Sequence, residues 1–232
     1  MLRLGTFLRS ALAAAGLFAL GQVAQADVTV TNPGFEDAPI LTFPTKQFIY
    51  TPSTPSSWTY TGNSGLAIVV NGATPATTPF GVLGSNAANG NQVAFLQNTM
   101  GILSTISETI TSTAGFFAIT FDAEGRNYSA NHVIPTPIKV LVDGNVVFNG
   151  LPNSDGLFHL ITTGGYLFTA GSHTLTFETT GPVASGDATT FIDNIGSVNA
   201  VPEPSQLVLA GVAAFGGLGA FYRKRKAAKA SA

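Results

Sequence analysis

Apolar and polar residues alternate in short bursts along most of this chain. In His173-Thr174-Leu175-Thr176-Phe177-Glu178, Leu175 and Phe177 fall on one face and the threonines on the other. That is the two-residue period of a half-buried strand. Ile138, Val140 and Val142 share a face in the same way. Further strands are predicted over residues 28–30, 66–70, 93–96, 102–110, 116–122 and 189–195, bounded by Gly, Pro, Asn and Thr. Asp143-Gly144 ahead of Asn145-Val146-Val147-Phe148 predicts a hairpin. Many short strands with regular turns, and no capped helical period among them, predict an all-β sandwich. The Thr/Pro/Ser-rich stretches 42–57, 71–91 and 128–137 read as solvated surface loops, and His173 as an outward strand position.

Both ends break this pattern. Arg3 and Arg9 precede an apolar run at 11–20 and then Ala24-Gln25-Ala26, the three parts of a secretory signal peptide. Residues 1–26 are therefore expected to be removed, leaving Asp27 first. At the other end Pro202-Glu203-Pro204 leads into an uncharged stretch, 206–222, and then Arg223, Lys224, Arg225 and Lys226, with Lys229 beyond. As a helix, residues 207–222 extend roughly 24 Å, short of the ~30 Å hydrocarbon core. A transmembrane segment here needs local thinning or snorkelling cations, and the basic cluster is a topology stop held on the cytoplasmic side. Tripeptide, apolar run and basic end, in that order, resemble the PEP-CTERM sorting signal of Gram-negative bacteria, whose partner is an exosortase. The resemblance implies that Pro202, Glu203 and Pro204 are recognised and the tail removed. The membrane-anchored precursor then passes from the inner membrane to the cell surface or extracellular matrix. That system accompanies exopolysaccharide production, so a biofilm-matrix role is implied too. The expected division is 1–26 signal peptide, 27–200 cargo domain and 201–232 sorting tail.

Charge separates these parts. Residues 27–200 carry three cations (Lys46, Arg126, Lys139) and eleven acids, a net of −8, while the other seven cations lie in the two ends. So acidic a domain has no electrostatic footprint for nucleic acid and suits a divalent cation. There is no cysteine, so an exported domain of this size relies on its core, or on a metal, without disulfides.

Four short motifs run through the domain: Asn32-Pro33-Gly34-Phe35-Glu36, then Gly90-Asn91-Gln92-Val93-Ala94-Phe95-Leu96-Gln97, Gly171-Ser172-His173-Thr174-Leu175, and Phe191-Ile192-Asp193-Asn194-Ile195. Together they resemble the galactose-binding-like jelly roll of bacterial carbohydrate-binding modules, although Asn194 stands where many relatives have a second acid. The resemblance implies an all-β, jelly-roll-like β-sandwich. It also implies a structural Ca²⁺ held between the chain ends by Glu36 and Asp193, with Asp37 adjacent and backbone carbonyls completing six to eight oxygens. The alternative is that Glu36 is an exposed acid and Asp193 bonds loop amides. Sugar binding needs exposed aromatic planes with polar neighbours. Tyr50, Tyr60, Tyr128 and Tyr166 are the candidate tyrosines, Tyr50 and Tyr60 gathering around one loop with Trp58, the sole Trp, and Tyr128, in a polar loop, being the ring expected to be exposed. Trp58 itself reads as a core anchor.

Catalysis finds little footing. Asp122 and Glu124 have a spacing that suits paired carboxylates, but ahead of Gly125 and Arg126 they read as a turn with a local ion pair. No Gly-x-Ser-x-Gly, His-Glu-x-x-His or Gly-x-x-x-x-Gly-Lys motif occurs. His132, His159 and His173 are isolated in sequence. The expectation is a non-catalytic exported protein that binds polysaccharide. A purely structural matrix or adhesion protein is the alternative, and an extracellular hydrolase ranks last.

Overall fold

The computed structural model describes residues 28–37, 48–52, 56–69, 77–78, 81–82, 86–99, 102–126, 135–180 and 188–200. The chain divides into two units, Met1–Asn199 and Ala200–Ala232, and every described strand lies in the first. In chain order these strands are β1 (Val28–Thr29), β2 (Phe48–Tyr50), β3 (Thr59–Thr61), β4 (Ser64–Ile68), β5 (Thr77–Thr78), β6 (Gly81–Val82) and β7 (Gln92–Asn98). They continue with β8 (Thr105–Ser112), β9 (Gly115–Gly125), β10 (Ile138–Val142), β11 (Asn145–Gly150) and β12 (His159–Thr162). The last are β13 (Tyr166–Phe168), β14 (Gly171–Thr179) and β15 (Ala188–Asn199). No described residue is helical.

Two antiparallel sheets make a sandwich. The smaller runs β1-β8-β14-β10-β11, with β3 also on β8; the larger runs β12-β9-β15-β7-β4-β2, with β13 also on β9. β5 and β6 pair only with each other. Period-two alternation turns Ile106 and Ile110 of β8, Val140 of β10, and Leu175 and Phe177 of β14 inward. There they meet Phe117, Ile119 and Phe121 of β9, Ala94 and Leu96 of β7, and Ile192 of β15. The Phe121 and Phe177 rings touch edge to face across this core, their centroids 5.2 Å apart. The predicted hairpin forms at Asp143–Gly144, both with positive φ, between β10 and β11.

Several expectations are corrected. β2 lies inside the stretch read as a loop over 42–57, and β5 and β6 inside 71–91, because strands of two or three residues, Phe48-Ile49-Tyr50, Thr77-Thr78 and Gly81-Val82, are too short to show a two-residue period. Ile102 and Leu103 are exposed and precede β8 instead of opening it. β9 runs straight through Asp122, Glu124 and Gly125, so the carboxylates sit on a central strand and not in a turn. His173 faces inward, only 7% exposed, since it shares parity with Leu175 and Phe177.

Candidate functional site

The first and last motifs meet at one end of the sandwich. Asn32 folds the opening segment: its Oδ1 accepts from Glu36 N at 2.8 Å, and its carbonyl accepts from the Trp58 indole at 2.8 Å. Trp58 is the core anchor expected, its ring 4.8 Å from that of Phe35. On the closing strand the register slips by one residue between Asp193 and Gly196, with Asn194 at φ 50°. This bulge re-aims the strand and presents Ile195 N to Pro33 O at 2.9 Å. The loop ahead of β7 then serves both acids. Asp193 Oδ2 accepts from Asn89 N at 2.7 Å and its Oδ1 from Asn194 N at 2.8 Å. Glu36 Oε1 accepts from Asn91 N at 2.8 Å and Gln92 N at 2.6 Å. Gly90 makes room for that: at φ +71° a Cβ there would stand 2.3 Å from Glu36 Oε1. Burial pushes the Asp193 carboxyl up to about 7, the Glu36 charge adds to it, and the amide bonds oppose it. Asp37 is tied elsewhere, to Asn32, Ser56 and Ser57.

A second constellation lies on the outer face of the larger sheet. Cross-strand pairing sets Tyr50 (β2), Gly65 (β4), Phe95 (β7), Phe191 (β15) and Glu124 (β9) in one row. Phe95 and Phe191 pack with Ala67, Val69 and Val93 in an apolar cluster separate from the main core. Tyr50, 39% exposed as a residue, closes the row, its ring edge-on to Phe95 at 5.2 Å and Phe48 at 5.6 Å. Gly65 permits this, because a Cβ there would meet Ile49 O at 2.0 Å and the Phe95 ring at 2.9 Å. The Tyr50 hydroxyl donates to Gln97 Oε1 at 2.6 Å, and Gln97 Nε2 reaches Thr189 Oγ1 at 3.4 Å. At the far end of the row Glu124 is fully buried and neither carboxyl oxygen has a hydrogen-bond partner. Burial, with the charge of Asp155 behind it, pushes that carboxyl up to about 8. Asp122 accepts from Asn194 Nδ2 at 2.8 Å.

Residues 200–226 match the PEP-CTERM protein-sorting motif. The matched range includes Pro202, Glu203 and Pro204, expected to be recognised, and Arg223, Lys224, Arg225 and Lys226, expected to act as the topology stop. No curated protein matches the chain. Among solved structures, a CBM61 module in complex with β-1,4-galactotriose is similar at 17% identity and a TM-score of 0.48, over 74% of this chain and 97% of that one. The CBM22-1 xylan-binding domain of Paenibacillus barcinonensis Xyn10C is similar at 15% identity and a TM-score of 0.39, over 65% of this chain and 92% of that one. A CBM36 module in complex with calcium and xylotriose reaches 9% identity and a TM-score of 0.33, over 45% and 79%. Among the described residues no helix is long and apolar enough to cross a membrane. The expected signal peptide, and the PEP-CTERM tail from residue 201 with its expected transmembrane segment, lie outside those residues.

Of the candidate tyrosines, Tyr50 is exposed, while the Tyr166 hydroxyl accepts from Asn145 Nδ2 at 3.1 Å. Tyr60 is corrected: it sits on β3 facing the core, 8% exposed, and burial drives its hydroxyl pKa well up. It is on the smaller sheet, so it does not gather with Tyr50. Tyr128 and His132 lie outside the described residues. His159 pairs with Asp155 on the surface at 2.9 Å. No group of three metal-binding side chains occurs among the described residues. Phe95, Gln97 and Phe191 were not foreseen as site residues. The signal for Phe95 was the apolar run Val93–Leu96 inside β7, a strand buried on both faces; Gln97 and Phe191 lie outside that run.

Proposed function

We propose that this protein is exported, handed to an exosortase through its PEP-CTERM tail, and placed on the cell surface or in the extracellular matrix. There its sandwich binds polysaccharide without catalysis. The observation that carries the binding reading is the exposed Tyr50 ring, backed by Phe48 and Phe95 and fixed by its bond to Gln97. A pyranose presents an apolar face and a rim of hydroxyls. A ring held edge-on by other rings, beside an anchored amide, suits both. The non-catalytic reading is supported by the two carboxylates of β9: Glu124 is sealed from solvent and Asp122 is engaged by Asn194.

Glu36 and Asp193 are the residues that would hold a structural Ca²⁺. They fit in donor type and in charge. Each carboxylate offers about four lone-pair sites, more than the amide bonds occupy, and the two acids repel without a cation near them. Bound there, the ion would supply the positive charge that the 86–92 loop amides supply in part.

The test is binding of the full chain to immobilised β-1,4-galactan, xylan and the producing strain's own exopolysaccharide, with Tyr50→Ala beside it. Retention that falls at least tenfold in the variant is expected. Equal retention of both proteins removes Tyr50 as the binding face, and no retention on any polysaccharide leaves the structural-matrix reading instead.

A further inference from the structure

Gln97 and Thr189 oppose each other on β7 and β15, on the outer face of the larger sheet. Gln97 Nε2 donates to Thr189 Oγ1 at 3.4 Å, and the Tyr50 hydroxyl donates to Gln97 Oε1 at 2.6 Å. One amide is thus held between a hydroxyl that accepts from its nitrogen and a hydroxyl that donates to its oxygen. Thr189 is fully buried and Gln97 is 4% exposed. Two positions further along β15, Phe191 opposes Glu124 of β9. Glu124 therefore lies on the same face as Thr189, diagonally across from it. Diagonal neighbours on a sheet face stand about 7–8 Å apart, within reach of a long side chain. Neither Glu124 carboxyl oxygen has a hydrogen-bond partner. Burial lifts that carboxyl to about 8, which suits a group that must both take and return a proton near neutrality.

We propose that Thr189 and Gln97 join as an internal ester, with Tyr50 polarising the carbonyl and Glu124 carrying the proton. Thr189 Oγ1 attacks Gln97 Cδ, one bond beyond the nitrogen it now meets. The terminal torsion of a glutamine is broad, so a turn about it brings that carbon to Oγ1. As the O–C bond forms, the Thr189 proton passes to ionised Glu124. Negative charge gathers on Oε1, where the Tyr50 hydroxyl already donates. The C–N bond then breaks, Glu124 returns the proton to the leaving nitrogen, and ammonia departs. An alcohol and a primary amide become an ester and ammonia, with no oxidant, reductant or cofactor. Burial of both residues keeps water from the ester, and dilution of ammonia into solvent disfavours the return. The bond would close a span of 92 residues in a chain without cysteine, doing for an exported domain what a disulfide does. Oε1 and its bond to Tyr50 survive the reaction, so the sugar face and the ester stand or fall separately.

The experiment is mass spectrometry of the full chain, intact and after digestion under denaturing conditions. The folded protein is expected to be lighter than its sequence by one ammonia. Its digest should hold a branched peptide joining Gln97 to Thr189, which mild alkali cleaves. Thr189→Ser should still form it and Thr189→Val should not, while Thr189→Val keeps its retention on polysaccharide. Tyr50→Phe, at an exposed position, should slow formation at least tenfold, and so should Glu124→Gln with native Trp58 fluorescence. Absence of the branched peptide from aged, folded wild type overturns the proposal. The same loss of ammonia in Thr189→Val also overturns it, assigning the loss to a succinimide at an Asn-Gly step such as Asn89-Gly90. Undiminished formation in Glu124→Gln overturns the proton route. If that variant does not fold, undiminished formation in Tyr50→Phe overturns the activation of the carbonyl. Thr189→Val also supplies the ester-free background in which the effect of Glu124 on stability is measured.

Discussion

Glu124→Gln should stabilise this protein, and by an amount that grows with pH. The side chain is wholly buried, and burial lifts its carboxyl from the ordinary 4.5 to about 8. Between those values the unfolded chain has lost this proton and the folded chain keeps it. The folded state therefore binds more protons, and stability falls as pH rises through the window. At pH 7 the penalty spans 2.5 of the 3.5 pH units between 4.5 and 8, which is roughly 3 kcal/mol. Glutamine keeps the shape and removes the ionisation. The gain expected at pH 7 is then about 3 kcal/mol, or a midpoint raised by about 6–12 °C for a domain of this size. Near pH 4.5 the two proteins should melt together, apart from any constant packing offset. The sole Trp, Trp58, is buried in the core and reports the melt by fluorescence. A difference between variant and wild type that is the same at pH 4.5 and pH 8 refutes the reasoning, whatever its sign.

Three further outcomes are expected. Saturating Ca²⁺ against chelator should stabilise the full chain by about 2.7 kcal/mol at a hundredfold excess over Kd, raising its melting midpoint by about 5–11 °C, and Asp193→Ala should abolish the rise; a wild-type melt indifferent to Ca²⁺ removes the metal. Gly65→Ala places a methyl 2.0 Å from Ile49 O and should cost about 1–3 kcal/mol by overpacking. It should also weaken polysaccharide retention by displacing Tyr50, and an unchanged denaturation midpoint would contradict the close approach. His173 Nδ1 meets Asp143 Oδ2 at 2.6 Å and Nε2 meets Thr169 O at 2.9 Å; burial lowers its pKa, but these bonds and the Asp143 charge raise it overall above 6.5. Its contribution is full below 6.5 and lost as pH rises through the folded value, so His173→Phe should flatten that part of the pH–stability curve.

Much of the sandwich was legible because alternation reports burial directly. β10 and β14 show it in Val140, Leu175 and Phe177, and the Asp143-Gly144 turn marks its own hairpin. The opening and closing motifs were legible for a different reason: Asn32, Gly90 and Asn194 each do a backbone job that few residues do as well. What escaped was burial that depends on a partner far along the chain. Tyr50 and Tyr60 are ten residues apart in sequence, yet β2 joins the larger sheet and β3 the smaller, and only the pairing with β4 and β8 decides that. Glu124 reads as a turn residue until β15 and β12 flank β9. Glu108 was legible as a buried acid but not read as one, since Ile106-Ser107-Glu108-Thr109-Ile110 already places a carboxylate on the apolar parity.

These acids point to one consequence for the whole domain. Eleven acids face three cations over residues 27–200, and Lys139 with Glu178, at 3.1 Å, is the one Lys–carboxylate pair found among the described residues. Other acids among the described residues are held differently: Glu36 and Asp193 by backbone amides, Asp143 and Asp155 by histidines, while Glu124 has no hydrogen-bond partner and burial raises its carboxyl to about 8. Asp193 and Glu124 are raised to about 7 and about 8, and Glu108 is raised as well. For each carboxyl the folded state holds a proton that the unfolded chain has released, so stability falls with rising pH. His173, raised above 6.5, loses its contribution in the same direction. Below the ordinary carboxylate range the sign reverses, because Asp143 and Asp155 are lowered and give up their partners on protonation. Stability of the metal-free full chain should therefore peak on the acid side of neutrality, between about 4 and 6, and decline steadily toward pH 8. Ca²⁺ at Glu36 and Asp193 would offset the Asp193 share of that decline, since a cation favours the ionised carboxylate. Chemical denaturation across pH in chelator measures it. A maximum at pH 7 or above would mean that the buried carboxylates are neutralised by something other than their own protons.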